Sequence, residues 1–162
     1  MSADAFEPHA HADCIHDAMH VAEDLCAERG VRLTDIRRRV LELVWESHQP
    51  LGAYGILERL STDGRKPAPP TVYRALDFLL DQGLVHRIAS LNAYIGCADP
   101  SHQHLACFFI CQICGNAEEL EDIQPLQLTL AACAERRGFR IRQPMLEITG
   151  VCRHCADPGE AS

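Results

Sequence analysis

Pro69-Pro-Thr-Val-Tyr-Arg-Ala-Leu-Asp-Phe-Leu-Leu80, followed across Gly83 by Leu84-Val-His-Arg-Ile-Ala89 and Asn92-Ala-Tyr-Ile-Gly-Cys97, decides the fold. Proline suits the first turn of a helix because its missing N–H has no partner there. The segment therefore predicts a helix from Pro69 to about Gln82, closed by Gly83. Beyond the glycine the apolar period changes, and the next two stretches predict strands joined by a short turn at Ser90-Leu91. Upstream, Ile15, Met19, Ala22 and Cys26 make one apolar stripe on a helix from Ala12 to Arg29, stopped at Gly30. Thr34 can cap a second helix, Asp35 to about Ser47, with Ile36, Val40, Leu43 and Val44 inward. Ala53 to Leu60 reads as a third helix, and Thr62 to Ala68 as a loop. Helices followed by such a hairpin form a winged helix, with the fourth helix in the recognition position.

Downstream, Ala98-Asp-Pro-Ser101 is the expected hinge to a second domain. His104–Ile110 and Ala117–Glu121 predict strands on either side of Cys111-Gln-Ile-Cys114. Pro125 starts a helix that Gly138 ends, and Phe139–Ile141 and Met145–Val151 predict further strands, the last leading into Cys152-Arg-His-Cys155. Four thiolates in two Cys-x-x-Cys knuckles can close a tetrahedral zinc site. Gly115 permits the tight backbone of the first knuckle. The same pairs could also be redox dithiols or core cysteines. Their repetition near the C-terminus favours a structural zinc at Cys111, Cys114, Cys152 and Cys155.

The predicted topology also brings His86, Cys97, His104 and Glu119 together at the domain junction. Two imidazoles, a thiolate and a carboxylate can form a second tetrahedral site. Such a donor set is weaker and more sensitive to protons than four thiolates, which suits a sensor. His102 competes with His104 for the place. Cys107 and Cys133 read as core thiols, and His16 and His20, one helical turn apart, have no evident third ligand.

Composition agrees with a globular protein. Of 162 residues 47% are hydrophobic and 23% charged, and the longest apolar run, Leu105–Ile110, is far too short to span a membrane. The first residues lack a signal peptide, so a cytoplasmic location is expected, with nine cysteines kept as reduced thiols or metal ligands. The net charge of −8 is unevenly spread. Ten Lys+Arg and eight Asp+Glu lie between Glu28 and Ser90, a net of +2, while the remainder carries −10. A slightly basic middle between acidic flanks suits a nucleic-acid module joined to a metal-binding module.

In this order, Arg32-Leu-Thr-Asp-Ile-Arg37, Pro69 to Leu80, Gly83-Leu-Val-His86, Asn92 to Cys97, Phe109-Ile-Cys111-x-x-Cys114-Gly115 and Cys152-x-x-Cys155 resemble the ferric uptake regulator family, most of all its zinc-responsive members. The likeness spans about residues 15 to 155. It implies an α+β chain with a winged-helix DNA-binding domain, over 1–97, and a small α/β metal-binding dimerisation domain, over 102–155; the residues themselves add a flexible 1–11, the hinge at 98–101 and a disordered tail from 156. It further implies a homodimeric, zinc-responsive repressor of zinc uptake genes. Two zinc ions per subunit are expected, structural at the four cysteines and regulatory at His86, Cys97, His104 and Glu119. Asp35 stands where the family commonly has proline, and His102-Gln-His104 is a remnant of the histidine-rich motif of iron regulators.

For operator DNA, Arg74 can read guanine and Tyr73 can pack on a thymine methyl or bond phosphate; both lie in the first turns of the fourth helix with Thr71. At least one of Arg37, Arg38 and Arg39, Arg37 foremost, is expected on phosphate, and Arg65 and Lys66 can reach the backbone from the preceding loop. No membrane and no small organic substrate is expected. An iron, manganese or peroxide sensor of the same family is the alternative, and the Cys97 thiolate argues against it. A zinc hydrolase or deaminase lacks its signatures, since neither His-Glu-x-x-His nor His-x-Glu with Pro-Cys-x-x-Cys occurs. A zinc-ribbon interaction module leaves the winged helix without a purpose.

Overall fold

The computed structural model describes residues 11–156 apart from Arg65, Gln103, Asp122 and Gln143. The expected flexible start, the tail beyond Ala156 and the DNA contact at Arg65 lie outside the described residues. Four helices come first: α1 (His11–Glu28), α2 (Asp35–Trp45), α3 (Ala53–Thr62) and α4 (Pro69–Asp81). The hairpin β1 (Val85–Ile88) and β2 (Ala93–Gly96) follows, then β3 (Ala106–Cys111), β4 (Ala117–Glu119), α5 (Gln124–Glu135) and β5 (Met145–Gly150).

The apolar stripes read from sequence meet in one core. Met19, Ala22 and Cys26 of α1, Val40, Leu43 and Val44 of α2, Ile56 and Leu60 of α3, and Val72, Leu76 and Leu79 of α4 are all buried there. Gly83 takes φ +68°, a backbone left to glycine. The N–H groups of Gly83 and Leu84 return to the carbonyls of Leu80 and Leu79, ending α4 with a Schellman turn that buries Leu84.

β1 and β2 pair antiparallel with Val85 opposite Gly96 and Ile88 opposite Ala93. Side chains alternate across a strand, so the hairpin has two distinct faces. Val85, Tyr94 and Gly96 turn towards the helices. A Cβ on Gly96 would lie 2.2 Å from the Trp45 ring, so the indole packs directly on the wing backbone. Leu51 adds an antiparallel bridge to Tyr94 that sequence alone did not reveal. The opposite face carries His86, Ile88, Ile95 and, one step past β2, Cys97. Ile88 and Ile95 join Ala106, Phe108, Ile110 and Ala117 in a second apolar cluster. The wing is thus covered on both sides, by its own helices and by the C-terminal sheet.

That sheet runs β4-β3-β5, with β3 antiparallel to β4 and parallel to β5. The strand expected at Phe139–Ile141 does not form. Phe139 and Ile141 are 67% and 41% exposed in the segment leaving α5, where no neighbouring strand supplies a ladder. β3 begins two residues later than expected, so His104 lies in the loop before it. α5 buries no residue, and Leu128, Ile148 and Val151 are exposed.

Candidate functional site

Parallel pairing of β3 with β5 brings the two knuckles together. Cys111, the last residue of β3, sits opposite Gly150, the last of β5, so both strands deliver their Cys-x-x-Cys turns to one end of the sheet. Gly115 takes φ +77° and donates its N–H to Cys111 O, and Cys155 donates likewise to Cys152 O. One sulfur from each of Cys111, Cys114, Cys152 and Cys155 lies within 4.8 Å of all the others. Cys114 Sγ and Cys152 Sγ are 3.8 Å apart. That is too long for a disulfide and equals the edge of a tetrahedron with zinc–sulfur bonds of about 2.3 Å. The Cys152 N–H donates to Cys111 Sγ and lowers that thiol to about 6, whereas neighbouring Cys152 and burial push Cys155 up to about 12. Four thiolates so close need a cation to coexist, and the donor set fits zinc.

The second cluster forms at the junction of wing and sheet. β1 supplies His86, the residue after β2 supplies Cys97, the loop before β3 supplies His104, and β4 supplies Glu119; their donor atoms all lie within 4.8 Å of one another. His104 Nδ1 stands 3.0 Å from His102 O, which fixes the ring so that Nε2 turns inward. Nε2 then lies 2.6 Å from Glu119 Oε1, a separation of two lone pairs that only a proton or a metal cation can fill. His86 Nε2 is buried with no hydrogen-bond partner, although Glu119 Oε1 is 3.2 Å away. Its ring is held edge-on against Phe108. A buried imidazole nitrogen aimed into such a cluster fits a metal better than it fits a core.

The electrostatics agree. Burial pushes the Cys97 thiol far up, and the Glu119 charge adds to this, so a cation is needed to draw out its proton. Burial also works against the Glu119 carboxylate, but His86, the Ala98 N–H and His104 outweigh it and leave Glu119 below the usual carboxylate range. At His104 burial is outweighed by the His102 carbonyl and Glu119, which hold the ring above the usual imidazole range.

The competitors separate clearly. His102 turns outward to Asp99 and Ser101 and contributes its carbonyl, not its ring. Cys107 is fully buried outside both clusters, and His154 is exposed.

On the candidate nucleic-acid face, Tyr73 and Arg74 are exposed on α4, Thr71 is half-buried in its first turn, and Lys66 is exposed in the loop before it. Arg37 stacks 3.6 Å over Phe78 and donates to Arg32 O. Arg38 pairs with Glu23, and Arg39 is held by Asp63, Glu42 and Glu46. Sequence reading passed over Asp77, exposed between Tyr73 and Arg74 around the helix, a place its spacing discloses.

The model of the ferric uptake regulator family matches residues 28–149. The zinc uptake regulation protein of Escherichia coli (strain K12) is 40% identical over 139 residues, 84% of this chain and 80% of that one. A zinc uptake regulator complexed with zinc and DNA superposes with a TM-score of 0.81 at 37% identity, over 87% of this chain and 94% of that chain. XcZur, 41% identical, discriminates between states. Its holo structure gives a TM-score of 0.78 over 90% of this chain and 98% of that one, and its apo structure 0.53 over 90% and 99%. The chain superposes better on the holo form than on the apo form.

Proposed function

The chain belongs to the ferric uptake regulator family, and from that premise we propose that it is a zinc-responsive, DNA-binding transcriptional repressor of zinc uptake genes and not an enzyme. The observation that carries the reading is the cluster of His86, Cys97, His104 and Glu119, whose donors come from both sides of the wing–sheet junction. Cys97 favours zinc over harder ions, which sets aside the iron and manganese alternatives. When bound, zinc supplies the positive charge that holds a thiolate, a carboxylate and two rings together.

Each subunit takes two zinc ions. Cys111, Cys114, Cys152 and Cys155 hold one permanently, and the junction cluster holds the other when zinc is plentiful. The division into a DNA-binding domain up to 97, a hinge at 98–101 and a dimerisation domain over 102–155 follows from this reading. The exposed apolar side chains of α5, β5 and Phe109 suit burial against a second copy of the chain. In the dimer Tyr73, Arg74 and Thr71 enter the major groove, and Arg37, Arg65 and Lys66 meet phosphate. No helix among the described residues is long and apolar enough to cross a membrane, which is consistent with the cytoplasmic location such a repressor needs. Metal analysis of protein purified without added metal, followed by DNA binding against free zinc, tests the reading. Two zinc per subunit and zinc-dependent binding are expected; binding indifferent to zinc would overturn it.

A further inference from the structure

The junction cluster and the apolar cluster of Ile88, Ile95, Ala106, Phe108, Ile110 and Ala117 seat the wing on the C-terminal sheet. A DNA-competent spacing of two recognition helices needs that seating held at a fixed tilt. The described residues contain further polar contacts between the winged helix and the segments beyond it. At one end of the sheet, Ala117 N–H donates to His48 O at 2.9 Å and the Gln49 side-chain amide donates to Cys114 O at 2.8 Å. Arg29 donates to Gln82 O at the end of α4 and to Pro100 O in the loop leaving the wing.

A further contact lies at the tip of the wing and rests on one side chain. Glu147, in the middle of β5, accepts the Ala89 N–H at 2.6 Å on one carboxylate oxygen and the Ser90 N–H at 3.1 Å on the other. Both donors are turn amides that the β1–β2 ladder cannot pair. A carboxylate spanning two adjacent amides is bonded in direction as well as distance, so it fixes the tilt of the turn. Glu147 is outside the junction cluster and is paired with Phe108 in the β3–β5 register.

We propose that Glu147 is the positioning residue that locks the wing turn to the sheet and so converts zinc occupancy into a fixed orientation of the recognition helix. This deepens the repressor reading and rests on it. Zinc closes the junction only by binding the closed arrangement better than the open one, and Glu147 adds to the same side of that equilibrium. Its bonds form when the junction closes and are exchanged for water when it opens.

The test compares wild type, Glu147→Ala and Glu147→Gln as full-length protein. The DNA probe is a duplex selected from random sequence with the wild-type protein. Glu147→Ala should keep its dimer and its zinc content, yet bind the duplex at least about tenfold more weakly at saturating zinc. Glu147→Gln, which keeps one accepting oxygen, should fall between. Amide hydrogen exchange supplies the readout that a merely stabilising role would not move. In wild type the Ala89 and Ser90 amides should be protected with zinc and exposed without it, and in Glu147→Ala exposed in both. Unchanged DNA binding by both variants, or unprotected Ala89 and Ser90 amides in zinc-loaded wild type, overturns the lock. Wild-type DNA binding that ignores zinc defeats the repressor reading instead, and the lock is then judged on amide exchange alone. Should Glu147→Ala fail to fold, Glu147→Gln and wild-type exchange still decide the matter.

Discussion

Cys97 and His104 show how little chemistry separates a sensor from a core. Cys97 is buried, and without a cation its thiol keeps its proton. Replacing it with serine removes the softest donor while leaving the wing in place. Cys97→Ser should give a folded protein with the four-cysteine zinc intact that no longer binds operator when zinc is added, measured by titrating free zinc against labelled DNA; wild-type-like response would remove Cys97 from the site. The same cluster carries a pH signature. Without metal, the charged His104 ring pairs with the Glu119 carboxylate, because His104 is held above its usual range and Glu119 below it. The histidine contribution to stability is full below about pH 6.5, the ordinary imidazole value, and is lost as pH rises through the raised value. The glutamate contribution is lost only as pH falls through its lowered value. Zinc competes with these protons, so the rise in melting temperature on adding zinc should be larger at pH 8 than at pH 6. Melts of Cys97→Ser at both values, showing no such difference, serve as the control.

The elements explain why those residues meet. In β1 and β2 the period of two places His86, Ile88, Ile95 and Cys97 on one face, so the wing strand that packs on the sheet is also the strand that supplies ligands. The helical period likewise sorts α4, whose buried Val72, Ala75, Leu76 and Leu79 leave Tyr73, Arg74 and Asp77 outward. Arg74→Ala should weaken operator binding by about 1–3 kcal/mol and relax preference at one base position, as tested by competition among single-base variants of the duplex. A uniform loss across all of them would make Arg74 a phosphate contact. Phe139–Ile141 marks the opposite case. Alternating apolar residues resemble a strand, but a strand needs a partner, and none pairs with this segment among the described residues.

At the scale of the molecule the two clusters do different work. The four cysteines close the end of the sheet where β3 and β5 stop side by side, so their loss should unfasten β5. Zinc bound by four thiolates contributes on the order of 10–16 kcal/mol in small zinc modules. Cys152→Ser should therefore lose the tightly held zinc and lower both melting temperature and dimer content; a variant that keeps both would show the site to be dispensable. The junction cluster instead draws its residues from both the wing and the sheet, and the chain superposes better on holo than on apo XcZur, with TM-scores of 0.78 and 0.53.

What the sequence determined by itself is whatever has a short period or a fixed spacing. The helix stripes, the prolines that open α4, the glycines that end helices and the two Cys-x-x-Cys knuckles all act over a few residues, and each was legible. The grouping of His86, Cys97, His104 and Glu119 depended on the predicted topology. Three decisions belonged to the tertiary structure. His104 faces the cluster and His102 does not, because the His102 carbonyl and Asp99 turn the two rings in opposite directions. The two knuckles met because β3 and β5 pair in parallel, a register set by contacts some forty residues apart in the chain. The bonds from Ala89 and Ser90 to Glu147 join residues with no shared pattern, and only packing the wing on the sheet brings them within reach. Local rules govern local geometry; a site shared by distant segments exists only once the intervening chain has folded.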